Sequence, residues 1–147
     1  GPPTELAVSL GSADQATRDR LMPGVARWDL GDLMAACYEF SQARKGQPVT
    51  FAYVMLAGVN DGYHDVDRVV RLLQAQPHHL NLIPYNPVPD CPYIAPNQET
   101  ISTFYRRCQE AGLNVSVRRS KGQAIDAACG QLKRQGQAAA GQQPAGS

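Results

Sequence analysis

Segments with the apolar pattern of strands alternate with segments of helical periodicity along nearly the whole chain, and that alternation most constrains the fold. Leu6 to Leu10 is a short apolar run without internal alternation, which suits a strand buried on both faces. Ser12, with Gln15 three residues on, has the spacing of a capping box and opens a helix that Pro23 and Gly24 end. Asp29 caps a second helix with apolar positions at Leu30, Leu33, Met34, Cys37 and Phe40, closed by Gly46 and Pro48. Val49 to Leu56, rich in Val, Phe and Tyr, carries the clearest strand signal. After the turn from Gly58 to Gly62, Val66, Val69, Val70 and Leu73 mark one face of a third helix. Pro77 punctuates, and Leu80 to Tyr85 is a strand. The stretch from Pro84 to Pro96 holds five prolines and is too rigid for a helix or a central strand. Asn97 caps a fourth helix through Ile101, Phe104, Tyr105 and Cys108, with Gly112 as its stop. Val115 to Arg118 is a last strand, followed by a glycine turn and a short helix around Cys129.

This order predicts an α/β protein with about four parallel strands and right-handed crossovers. Four strands do not close a barrel. They form an open arc whose ligand crevice lies at the carboxyl ends of the strands. Ser9 ends the first strand, Asn86 follows the third, and the segment from Lys121 to Cys129 follows the fourth, so residues able to do chemistry gather at one end. The first strand is left as an exposed apolar edge, and such edges recruit other strands. A preceding segment is therefore expected, and Gly1-Pro2-Pro3 reads as a cut edge.

The length of 147 residues suits one domain. A net charge of +1 gives no general attraction for a polyanion, so nucleic acid would have to be met through a local patch or a further region. No apolar run reaches the length of a membrane span, and no signal-peptide pattern opens the chain. The four cysteines, at positions 37, 91, 108 and 129, lack the close spacing of a zinc or iron–sulfur site and are too few for a secreted disulfide framework. A reducing setting is expected, cytoplasmic, or organellar in a eukaryote. From Gln135 onward the chain is Gln, Ala, Gly, Pro and Ser; it reads as one folded unit, 1–134, and a disordered low-complexity tail, 135–147.

Cys129 stands between small residues just beyond the basic turn Arg118-Arg119-Ser120-Lys121-Gly122. Small neighbours let a bulky substrate approach, and nearby cations favour the thiolate. Arg118, Arg119 and Lys121 fit a phosphate contact as well as they fit a solvated strand end. Cys37 and Cys108 fall on apolar helix faces and read as core. Cys91 reads as a loop residue, and Arg106 and Arg107 as a wet helix face. His78 and His79 read as solvent-exposed strand-start residues, and His64 as part of an acidic helix start.

Ala7-Val8-Ser9-Leu10, Asn81-Leu82-Ile83-Pro84-Tyr85-Asn86-Pro87 and Ile125-Asp126-Ala127-Ala128-Cys129-Gly130-Gln131-Leu132 occur here in one order. Together they resemble the radical-SAM adenine C2 methyltransferases of ribosomal and transfer RNA, the RlmN/Cfr type. The resemblance runs from about Leu6 to Leu132. It implies the C-terminal part of a partial (β/α) radical-SAM barrel, holding S-adenosylmethionine beside a [4Fe–4S] cluster. It implies cofactor contacts at Ser9, Leu10, Gly11 and Asn86, and it makes Cys129 the catalytic cysteine that is methylated on the way to adenine C2. The implied partners are 23S ribosomal RNA, with transfer RNA as a further substrate class, and an electron donor for the cluster; no membrane is involved.

The chain also departs from that pattern. It contains no Cys-x-x-x-Cys-x-x-Cys, so it supplies no metal ligands of its own. The family's resolving cysteine and N-terminal RNA-binding portion are missing too. Gly11 stands where the family usually has His, Ala52 where it has Glu, and Lys121-Gly122-Gln123-Ala124 where it has Arg-Gly-Asp-Asp. The expectation is a fragment inactive alone. The alternative is a non-catalytic half-barrel that binds RNA or a protein partner.

Overall fold

Strand β2 (Val49–Met55) is the centre of the architecture. In the computed structural model, which describes residues 5–23 and 29–118, four strands lie in the order β1-β2-β3-β4, all parallel. β1 (Ala7–Ser9) pairs with β2, β3 (His78–Pro84) lies on the other side of β2, and β4 (Val115–Val117) forms the far edge. Four helices alternate with them: α1 (Gln15–Leu21), α2 (Leu30–Ala43), α3 (Tyr63–Leu73) and α4 (Gln98–Glu110). The open parallel α/β sheet expected from the alternation is therefore present.

Side chains of successive strand residues point to opposite faces, which divides the core in two. Val49, Phe51, Tyr53 and Met55 of β2, with Leu80 and Leu82 of β3, meet Met34 and Cys37 of α2, Val69 and Leu73 of α3, and Phe104 and Cys108 of α4. The Tyr53 and Phe104 rings lie 5.5 Å apart at the middle of this layer. On the opposite face Val54, Leu56, Ile83 and Tyr85 form a smaller cluster with Leu21 and Met22 at the end of α1. The proline-rich segment completes that cluster with Cys91, Tyr93 and Ala95, and Tyr93 meets Tyr85 edge-on at 6.3 Å.

Several boundaries differ from the sequence expectation for identifiable reasons. Asp14, not Ser12, caps α1: its carboxylate accepts from the Thr17 N–H at 3.1 Å and the Thr17 hydroxyl at 2.7 Å. Ser12 instead accepts from the Asp14 N–H at 3.0 Å and shapes the turn before the helix. β1 is not buried on both faces, since Ala7 and Ser9 are exposed at the sheet edge. β3 begins at His78, because both histidines pair with β2 opposite Val49 and Thr50. Asp29 and Asn97 cap α2 and α4 as their positions suggested, accepting from the Asp32 and Thr100 N–H groups. The glycine turn, the helix around Cys129 and the tail 135–147 lie outside the described residues.

Candidate functional site

The end of β1 is held by two buried side chains from other elements. Leu10 continues the ladder by donating its N–H to the Ala52 carbonyl at 2.8 Å. Its own carbonyl accepts from Arg18 Nε at 2.9 Å. Arg18 is only 5% exposed, and burial lowers its pKa, since removal from water disfavours the charged form. The next carbonyl, that of Gly11, accepts from Asn60 Nδ2 at 2.8 Å.

Asn60 lies in the turn after β2 and is completely buried. Its Nδ2 also donates to the Val54 carbonyl at 2.8 Å, and its Oδ1 accepts from the Leu56 N–H at 2.8 Å. The Tyr53 hydroxyl donates to the Asn60 carbonyl at 2.7 Å. One side chain thus ties the end of β1 to the end of β2. Sequence reading treated Asn60 as an ordinary turn residue; the available signal was an Asn just beyond the clearest strand, where carbonyls need donors.

Each expected cofactor contact can now be placed. Ser9 is exposed on the face of the sheet opposite α2–α4. Leu10 is fully buried in the main core, so its part is to hold the backbone on either side of it. Gly11 has φ +72°, and a Cβ there would lie 2.8 Å from Met22 Cε. Gly11→Ala is expected to cost about 1–2 kcal/mol by thermal melting, from left-handed backbone strain and displacement of a buried methionine. Asn86 is exposed just past β3, two strands from Ser9 and five residues beyond Asn81, the β3 residue level with Ser9. Cys129, with Arg119 and Lys121, lies outside the described residues, while Arg118 is exposed and donates its N–H to the Leu82 carbonyl at 2.8 Å.

The histidines are not the exposed strand-start residues expected. His78 Nε2 accepts from the Asn114 N–H at 3.1 Å, and its Nδ1 faces the Gln76 carbonyl at 2.9 Å. His79 Nε2 lies 3.0 Å from Ser116 Oγ on β4, and Ser116 donates to Asn81 Oδ1 at 2.8 Å. Cys37 and Cys108 are buried free thiols, as expected; burial pushes the Cys108 thiol up to about 12, so neither offers a thiolate near neutrality. Cys91, in the loop after β3 as expected, is half-buried and disulfide-bonded. Arg107 is exposed, with its guanidinium 4.1 Å over the Tyr63 ring. Among the described residues no group of three or more His, Cys, Asp or Glu can hold a metal ion, and no helix is long and apolar enough to cross a membrane.

No family model matches the chain. Its similarity to curated proteins is nevertheless extensive. The dual-specificity RNA methyltransferase RlmN of Anaeromyxobacter sp. is 43% identical over 134 residues, which is 91% of this chain and 35% of the relative. The probable dual-specificity RNA methyltransferase RlmN of Desulforudis audaxviator is 44% identical over 88% of this chain and 40% of its own length. A radical SAM methyltransferase from Sphaerobacter thermophilus superposes with a TM-score of 0.75 at 40% identity, covering 86% of this chain and 37% of that one. Over nearly its whole length the chain matches one part of the RlmN radical-SAM methyltransferases. It spans little more than a third of the length of these RlmN relatives. A domain of pyruvate-formate lyase-activating enzyme from Bacteroides vulgatus has a TM-score of 0.62 at 18% identity and shares the fold alone. A match of 134 residues in a chain of 147 necessarily includes β2, β3, β4 and Asn86.

Proposed function

We propose that this chain is the C-terminal part of the core domain of a radical-SAM RNA methyltransferase that modifies C2 of an adenine in 23S ribosomal RNA, with transfer RNA as a second substrate class. The observation that carries the reading is identity of 41–45% to RlmN proteins over nearly the whole chain. The strand ends supply suitable groups for the cofactor in an exposed Ser9 hydroxyl and an exposed Asn86 carboxamide, while Gly11 is buried against Met22 and serves the turn between β1 and α1. When bound, S-adenosylmethionine supplies the methyl group and the radical chemistry. Ser9 and Asn86 would hold and orient it, while Asn60 and Arg18 keep the β1 end in place. Cys129 is the residue proposed to carry the methyl group, as a thiolate favoured by neighbouring cations.

The described residues do not fit an iron–sulfur cluster, because they bring no set of cysteines together. The cluster ligands, the electron-donor contact and most of the RNA-binding surface are therefore assigned to sequence beyond this chain. Sequencing the transcript upstream of the Gly1 codon tests this. An in-frame Cys-x-x-x-Cys-x-x-Cys is the expected result. A start codon immediately before Gly1, with no such motif, would leave a folded half-barrel that binds RNA or a protein without catalysis.

A further inference from the structure

The sheet face turned away from α2–α4 carries a row of small and polar residues at one register position. Ser9 pairs with Ala52, Ala52 with Asn81, and Asn81 with Ser116, so the four side chains cross the whole sheet in line. Further along the strands this face is apolar and covered by Leu21, Met22 and the proline-rich segment. At the row itself Ser9 is exposed and Ala52 and Ser116 are half-exposed.

Asn81 is the unusual member. It is 8% exposed, yet only half of its carboxamide is satisfied. Oδ1 accepts from the Ser116 hydroxyl at 2.8 Å. With its proton given to Asn81, Ser116 Oγ accepts from His79 Nε2 at 3.0 Å, which assigns a proton to that ring nitrogen. The relay fixes the carboxamide so that Nδ2 points away from Ser116. Nδ2 reaches solvent, and among the described residues no group accepts from it. A nearly buried amide held rigidly by two residues, with donors that no described residue accepts from, is a place that a ligand completes.

We propose that Asn81 is a ligand contact for the adenosyl part of S-adenosylmethionine, and that Ser116 and His79 are positioning residues that aim its carboxamide. The inference rests on the reading above, that this chain helps to hold that cofactor. Adjacent strands are about 4.8 Å apart, so Ser9 and Asn81 bracket roughly 10 Å, the span of a nucleoside. Ala52 between them leaves a floor without a bulky side chain. Nδ2 donates to an acceptor, a ring nitrogen or ribose oxygen, while the engaged Oδ1 favours such acceptors over donors.

The test is a titration of the full 15N-labelled chain with S-adenosylmethionine, followed by NMR at the Asn81 side-chain amide. Saturable movement of that NH2 pair is expected in the wild type. Ser116→Ala should weaken binding about tenfold, and Ser116→Thr should restore it, since threonine keeps the hydroxyl. Saturable binding with an affinity unmoved by both Ser116→Ala and Asn81→Leu would overturn the relay and leave the cofactor reading standing. A wild-type chain that shows no saturable shift at Asn81 or at any other residue would overturn both.

Discussion

Replacing Cys129 by Ala in the complete protein is expected to lower RNA methylation by at least about a thousandfold, to below detection. Adenine C2 has no nucleophilic lone pair, so direct polar transfer of a methyl group to it is unfavourable, and the proposed reaction needs a carrier. Burial disqualifies the thiols of Cys37 and Cys108, the latter pushed up to about 12. Cys129, flanked by Ala128 and Gly130 and preceded by Arg118, Arg119 and Lys121, has the small neighbours and the cations that a reactive thiolate requires. The assay belongs under thiol-reducing conditions, because Cys91 is disulfide-bonded in this structure. Cys129→Ser should fail as completely as Cys129→Ala, since an alcohol is a far weaker nucleophile at neutral pH. Methylation retained by either variant would remove Cys129 from the mechanism.

Asn60→Leu should be the most damaging single change to the fold, costing about 3–5 kcal/mol in denaturant unfolding. The substitution keeps the number of side-chain heavy atoms, so the loss is chiefly polar in origin, with a smaller part from the bulk of the two methyl groups. It leaves the Gly11 and Val54 carbonyls and the Leu56 N–H without the partners that Asn60 gives them. Each buried group so stranded costs about 1–3 kcal/mol, and partial relaxation keeps the sum below three full penalties. Asn60→Asp is informative beside it: the retained oxygen still accepts from Leu56, but a carboxylate would face two carbonyls. A loss under about 1 kcal/mol for Asn60→Leu would mean that the β1 and β2 ends are not coupled as described. If the coupling holds, the same variant should also weaken any ligand that depends on Ser9 and Gly11.

The strand and helix order was legible because each element follows local rules. Apolar runs of strand length, caps at Asp29 and Asn97, and the Gly112 stop are all written within a few neighbouring residues. The edge position of β1 followed from the strand order, but the exposure of Ala7 and Ser9 did not, because an apolar run looks the same whether or not its faces are covered. Asn60 joins Gly11 across 49 positions, and His79 and Asn81 meet Ser116 across 37 and 35. Such pairings depend on which residue stands opposite which once the strands are aligned, and no window of sequence contains that information. For the site, Ser9 and Asn86 could be named from the ends of their strands. Asn81 was hidden inside a segment that reads simply as a buried strand.

The order β1-β2-β3-β4 along the sheet is also the order along the chain, with every strand hydrogen-bonded to its predecessor. On the ribosome, each strand therefore emerges when its template is already in place, and no early strand must wait for a distant one. Assembly can proceed vectorially from the amino end, one strand–helix unit at a time. Within the described sheet each new strand is laid on the one before it.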